Sequence, residues 1–153
     1  IVDMPLHDWQ QTFAVHLNGA FLVSRAAIPF MQRGGSGSIV HIASQMGHVA
    51  AKGRPGYCAA KGALIQLAKA MALDHADQGI RVNSLSPGAV ETRRMLLRHG
   101  DLATAHAYNA PKHALGRIGQ PIEIATAALF LLSEASSFMT GSDLLVDGGY
   151  NAM

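Results

Sequence analysis

The stretch GYCAAKGAL, residues 56–64, places Tyr57 four positions before Lys61 in an alanine-rich run. On a helix, residues so spaced share a face and lie side by side. A free phenol, with a pKa of about 10, is a poor proton acceptor at neutral pH. A lysine ammonium one turn away favours the phenolate and makes the phenol a better base. Ser44 lies 13 residues before Tyr57, and a serine hydroxyl there can hydrogen-bond a substrate oxygen on which charge develops. Together the three could take the hydroxyl proton of an alcohol while hydride leaves its carbon. The chain carries its own control, because YNAPK sets Tyr108 and Lys112 at the same spacing. Pro111 lies between them and disfavours helical backbone at residue 110, which denies that pair a shared helical face. The position 13 residues before Tyr108 is Met95, which has no hydroxyl.

The elements that must position these groups are legible in the hydrophobic pattern. Trp9, Phe13, Leu17, Phe21 and Ile28 recur at helical spacing, so about 7–33 reads as one long helix closed by GGSGS. SIVHIAS follows as a nearly continuous apolar run, expected to be a strand buried on both faces of a parallel sheet. A second helix is expected over about 56–77, and GIRVNSLSPG reads as a strand that stops at Pro87-Gly88. Residues 91–115 are polar and mixed, and read as a helical excursion or lid. QPIEIATAALFLLS opens a helix with Pro121 in its first turn, and DLLVDGG closes the chain as a strand. Strands alternating with helices imply an α/β fold with a parallel sheet and right-handed crossovers. Opening on a helix makes the chain the second half of a doubly wound domain, whose ligands bind beyond the strands' carboxyl ends, here Ala43-Ser44 and Ser86-Pro87-Gly88.

Composition narrows the field further. With 49% hydrophobic and 14% charged residues, the 153-residue chain reads as one folded domain, not a disordered one. Its 12 basic and 10 acidic residues leave a net charge of +2, and no basic run exceeds TRRMLLR, so no nucleic-acid partner is expected. Cys58 is the only cysteine, which suits a reducing cytoplasmic setting without disulfides. The longest apolar run, IATAALFLL, is far short of the roughly 20 residues a membrane span needs, so no membrane partner is expected. The eight histidines form no ligand-type cluster with carboxylates, and no metal is expected. The chain has no initiator Met and is read as beginning inside a longer gene product.

Across essentially all of its length the sequence resembles the short-chain dehydrogenase/reductase family. VHLNGAFLVSRAAIPFM is similar to that family's long central helix, GSIVHIAS to its serine-bearing strand and YCAAK to its active-site motif. IRVNSLSPGAVET resembles its cofactor-contacting segment, and GRIGQPIEIATAALFLLSEASSFMTGSDLLVDGGY its C-terminal signature. The resemblance implies a Rossmann-like fold, with Tyr57 as general acid/base and Ser44 orienting the substrate oxygen. Lys61 would bind the nicotinamide ribose and tune Tyr57. Pro87, Gly88, Val90 and Thr92 would contact the nicotinamide end of NAD or NADP, with Tyr57 and Lys61. Met46, Ala89 and Met95 are candidate pocket walls beside Ser44, under a lid at 91–115. The implied reaction interconverts a small secondary alcohol and its ketone, in a homodimer or homotetramer.

Two departures qualify that picture. Where the family usually has Asn within VNLxG, completing a proton relay to the lysine, this chain has His16, whose backbone carbonyl could still serve. The glycine-rich turn that holds a pyrophosphate at a helix N-terminus is absent, because GGSGSIV precedes a strand and does not follow one. The residue that separates NAD from NADP is missing with it. What is lacking corresponds to a first mononucleotide half, about 90–100 residues. The competing readings are a truncated, non-catalytic scaffold that keeps the assembly surfaces, and the same fold performing epimerase or dehydratase chemistry.

Overall fold

Three strands, β1 (Gly37–Ile42), β2 (Ile80–Pro87) and β3 (Asp143–Val146), pair in that order and all run parallel. Gly37 stands opposite Ile80 and Ile42 opposite Leu85, while Ser84 faces Asp143 and Pro87 faces Val146. The computed structural model describes all 153 residues. Helices cover both sheet faces, as the alternating pattern required: α2 (Gly19–Gly34) and α3 (Pro55–His75) on one, α6 (Pro121–Leu132) on the other. Between β2 and α6 run two short helices, α4 (Arg93–His99) and α5 (Leu102–Asn109), which form the expected excursion.

Local chemistry explains where these helices begin and end. Pro55 and Pro121 occupy the first turns of α3 and α6, where a missing N–H costs nothing. The Glu123 carboxylate turns back to accept the Gln120 N–H at 2.7 Å, closing the start of α6. After α3 the chain reverses at Gly79, whose φ of +72° suits glycine, and a Cβ there would stand 2.7 Å from the Gly35 carbonyl. The first helix is continuous from Leu6 to Gly34 but not regular: α1 (Leu6–Phe13) passes into α2 through a π-turn at Ala14–Asn18. By length and composition that 29-residue helix is apolar enough to cross a membrane, although polar residues interrupt its apolar runs. Here it lies along the sheet: Leu17 and Ala20 pack on Ala43, Leu64 and Ile65, while Ile28 and Met31 pack on Ala68, Met71, Ala72, Ile80 and Val82.

β2 is the interior strand and the most deeply buried element. Its polar residues stay inside because each is partnered. Asn83 donates to the Met139 carbonyl at 2.9 Å and accepts the Ser142 N–H at 3.0 Å. Ser84 and Ser86 both donate to the Asp143 carboxylate, which His48 also meets at 2.7 Å. β1 departs from expectation. It lies at the sheet's edge, with Ile42 49% exposed, because it has a strand on one side only.

Arg81 fastens the second layer. Its guanidinium donates to the carbonyls of Leu131, Ser133 and Met139 and to Ser136 Oγ, at 3.0–3.3 Å, gathering the end of α6 onto β2. Cations at a helix C-terminus satisfy carbonyls that have no partner within the helix. Replacing Arg81 by Met keeps the stem and removes every guanidinium donor, leaving these carbonyls only their weaker partners from Ser38, Ser136 and Asn83. The expected loss is about 2 kcal/mol of folding stability, read as a lower urea midpoint at unchanged slope.

Candidate active site

Lys61 is the most constrained member of the site. α3 buries it to 8% exposure, and its ammonium donates to the Ile42 carbonyl at 2.7 Å. It sits 5.7 Å from the centre of the Tyr57 ring, so the two side chains one turn apart do share a face. Burial depresses the Lys61 pKa, and the positive charge of Arg94 depresses it further. His16 also approaches Tyr57, ring centres 5.3 Å apart and nearly perpendicular. It comes from the π-turn, a widening of the helix that is frequent at functional sites. Its pKa is lowered by burial and then by the charges of Lys61 and Arg94, so the imidazole is favoured in its neutral form.

Ser44 lies two residues beyond β1, buried, with extended backbone, and opens a single 3-10 turn at Gln45–Gly47. Its Oγ accepts the Met46 N–H at 3.1 Å, which fixes the turn. That turn rests directly on α3: a Cβ on Gly47 would stand 3.0 Å from the Lys61 carbonyl. The strand end and the helix bearing Tyr57 and Lys61 are thus packed together.

At the end of β2, the Gly88 N–H donates to the Val146 carbonyl at 2.9 Å. Gly88 itself is sterically enforced, because a Cβ would come within 2.8 Å of both Asp147 Cα and Gln45 Oε1. Val90 forms a lone parallel bridge with Gly119 through its neighbours, leaving its own N–H and C=O without hydrogen bonds. Thr92 caps α4 from an extended conformation, and its carbonyl accepts the Met95 N–H at 2.9 Å. Of the three candidate walls, Ala89 lines a cavity of about 80 Å³ together with Gly88, His113, Arg117, Glu123 and Asp147. Met46 is held in the Ser44 turn, whereas Met95 is tied within the excursion by Asn109 Nδ2 at 3.6 Å, and neither lines that cavity.

The control pair corrects one expectation. Lys112 lies over the Tyr108 ring at 3.2 Å from its centre, so the proline does not keep the two apart. A 3-10 turn at Ala110–Lys112 continues from α5 and swings the lysine across the ring face. The geometry is a cation–π stack on a ring 57% exposed, with no buried hydroxyl-bearing turn beside it.

Three residues went unnoticed in the sequence. Gln45 follows Ser44, is 5% exposed, and its Oε1 has no hydrogen-bond partner. His113 is buried where Ala89, Asn109 and Tyr150 meet: Nδ1 lies 2.9 Å from the Asn109 carbonyl, and Nε2 accepts the Ala89 N–H at 3.3 Å. Arg94 acts on both Lys61 and His16 from the start of α4. Isolated Gln, His and Arg residues carry no spacing signal, so only tertiary contact could single them out.

Two outcomes check this geometry. Gly88→Ala forces the loop against Asp147 and Gln45, and a loss of about 1–3 kcal/mol in a denaturant titration is expected. Glu123 receives both Arg117 guanidinium nitrogens and the Gln120 N–H, which hold its pKa down at about 2. A depressed carboxylate stabilises the fold fully above its ordinary pKa of 4.5 and loses that contribution as pH falls through about 2. A carbon-13 NMR titration should place the Glu123 midpoint there, and Arg117→Gln should return it toward 4.5.

Comparison with known proteins places the chain among others of the same fold. The family model described as enoyl-(acyl carrier protein) reductase matches residues 1–151. An uncharacterized oxidoreductase of Bacillus subtilis is 44% identical over 98% of this chain, and a cyclopentanol dehydrogenase of Comamonas sp. is 40% identical over 99%. The chain spans only 56% and 60% of those two relatives' lengths. Among solved structures, a short-chain type dehydrogenase/reductase from Mycobacterium marinum superimposes with a TM-score of 0.87 at 40% identity, covering 100% of this chain and 58% of that one. A gluconate 5-dehydrogenase from Burkholderia cenocepacia, in complex with NADP and tartrate, gives 0.91 at 36% identity, covering 99% and 59%. The chain belongs to the short-chain dehydrogenase/reductase family.

Proposed function

We propose that this chain is the catalytic portion of an NAD(P)-dependent oxidoreductase that interconverts a secondary alcohol and a ketone. The observation that carries the reading is the buried Lys61 ammonium beside Tyr57, with Ser44 in the turn packed on the same helix. The relatives include a cyclopentanol dehydrogenase and an NADP-bound gluconate 5-dehydrogenase, which supports both the reaction class and the cofactor.

The residues present fit the nicotinamide end of such a cofactor. Val90 offers one free N–H and one free C=O side by side, matching the acceptor and donor of a carboxamide. Lys61 uses one of its three N–H groups within the chain and keeps two for ribose hydroxyls. Pro87, Gly88 and Thr92 frame Val90 on either side. The residues that would grip the phosphates are not among these 153. When bound, the nicotinamide supplies the hydride acceptor or donor.

The chain's own groups manage the proton. Ser44 Oγ turns from the Met46 N–H to hydrogen-bond the substrate oxygen, and Tyr57 takes the hydroxyl proton in the oxidising direction or returns it in the reducing one. The nearby ammonium stabilises the phenolate that forms. His16 presses on the Tyr57 ring and limits its movement. Its backbone carbonyl offers the relay to Lys61 that the family's Asn provides.

Tyr57→Phe should lower turnover by about 10²–10⁴ while the affinity for NADH or NADPH, followed by fluorescence, stays unchanged. Tyr108→Phe should leave turnover intact, and equal losses from both would sink the assignment.

The apolar surface favours assembly alongside catalysis. Val15, Leu22 and Phe30 on the long helix are 58%, 57% and 70% exposed, and Ile122 and Leu129 on α6 are 70% and 67% exposed. Faces of this kind mark contacts with another protein surface, and a homodimer or homotetramer covers them. Sedimentation should give two or four copies, and Leu22→Glu with Phe30→Glu should shift the population toward monomer.

A further inference from the structure

Three consecutive peptide units carry the chain from Gly88 to Glu91, and each is held by a hydrogen bond. The Ala89 N–H donates to His113 Nε2 at 3.3 Å, and the Ala89 carbonyl accepts the Gly119 N–H at 2.8 Å. The Glu91 N–H donates to the Gly119 carbonyl at 2.9 Å. A trans peptide sets its N–H and C=O on opposite sides. The Val90 N–H and C=O therefore both face away from Gly119, unpaired. Two of these bonds come from the backbone of Gly119, and the third comes from a side chain.

That side chain, His113, is buried to 4% exposure where three segments meet. Its Nδ1 lies 2.9 Å from the Asn109 carbonyl at the end of α5. The ring packs obliquely on Tyr150, centres 5.4 Å apart, and a Cβ on Gly148 would stand 3.5 Å from His113 Cδ2. A backbone N–H only donates and a carbonyl only accepts, so the two contacts require a neutral imidazole with its proton on Nδ1. An aliphatic side chain would fill this place without the cost of burying two ring nitrogens. It would also leave the Ala89 N–H, beside the cavity of about 80 Å³, without a partner. Packing alone therefore does not call for a histidine here.

We propose that His113 is a positioning residue for the nicotinamide end of the cofactor. By accepting the Ala89 N–H it fixes the first of the three peptide units, and with it the aim of the Val90 groups that would receive the carboxamide. It acts through this backbone and not by contact with cofactor or substrate. The inference rests on the nicotinamide reading of Val90 and adds the side chain on which that preorganisation depends.

The test is binding of reduced nicotinamide mononucleotide to the full chain, followed by its fluorescence, in the unaltered protein, His113→Gln and His113→Asn. Glutamine places an amide at about the reach of Nε2, whereas asparagine places one at that of Nδ1 and leaves Ala89 unpaired. We expect His113→Gln to keep the affinity within about twofold and His113→Asn to lose about five- to tenfold, the loss of one hydrogen bond. Exchange of the Ala89 amide proton, read by NMR without ligand, should quicken in His113→Asn only, and an unchanged rate there would overturn the proposal. Both variants lose the ring's packing on Tyr150, so equal losses of affinity would mark a merely structural role and overturn it too. Equal affinity in all three proteins would do the same. These outcomes leave the nicotinamide reading of Val90 standing, whereas no binding by the unaltered chain would overturn that reading and this assignment together.

Discussion

A lysine ammonium held at 8% exposure, with one hydrogen bond to the Ile42 carbonyl, is the feature around which the site is arranged. Burying such a charge is costly unless its hydrogen bonds are replaced. The replacement requires β1 to end at Ile42 and α3 to lie closely enough for Lys61 to reach it. That closeness comes from the small side chains of α3: Ala60, Ala68 and Ala72 are all essentially buried against the turn and the sheet. Gly47 completes the contact, because any side chain there would strike Lys61 and Ile65. The Tyr57–Lys61 spacing and the packing of the core are one constraint seen from two sides.

The same economy holds on the opposite edge of the site. Gly88 lets β2 run into the C-terminal segment without a side chain between them, and the N–H to Val146 continues the sheet pairing one residue past the strand. His113 then ties Ala89 to Asn109 in the excursion. Asp147 is pushed up by burial but held below the usual carboxylate range by the donors of Asn151 and Gly149, and its Cα backs Gly88. The segment from Pro87 to Thr92 is therefore held from three directions while Val90 keeps its own backbone groups free. A rigid frame with one unpaired amide is what a ligand carboxamide needs, since the frame bears the ordering cost beforehand.

What the chain leaves open is as physically definite as what it closes. β1 has an unpaired edge and a half-exposed Ile42, and the long helix and α6 present apolar rows to solvent. Exposed strand edges and apolar helix faces both favour association. The surfaces agree with the finding that the chain spans about three-fifths or less of its relatives' length.

The order and type of the major elements were legible in the sequence, because period-3.6 and continuous apolar patterns report burial directly. So was the Tyr57–Lys61 pair, because helical spacing alone makes neighbours of residues four apart. The sequence could not tell an interior strand from an edge strand, since SIVHIAS is equally apolar in either place and only the count of neighbours decides. It misjudged Tyr108 and Lys112, because a proline that stops an α-helix still permits the tighter 3-10 turn that brings them into contact. Nor could it find Gln45, His113 or Arg94: His113 meets Ala89, 24 residues back, and the charge of Arg94 bears on Lys61 and His16. Local pattern determined which residues could do chemistry on one helix; tertiary packing decided which charges and buried polar groups surround them, because electrostatic and hydrogen-bond contacts depend on distance in space and not along the chain.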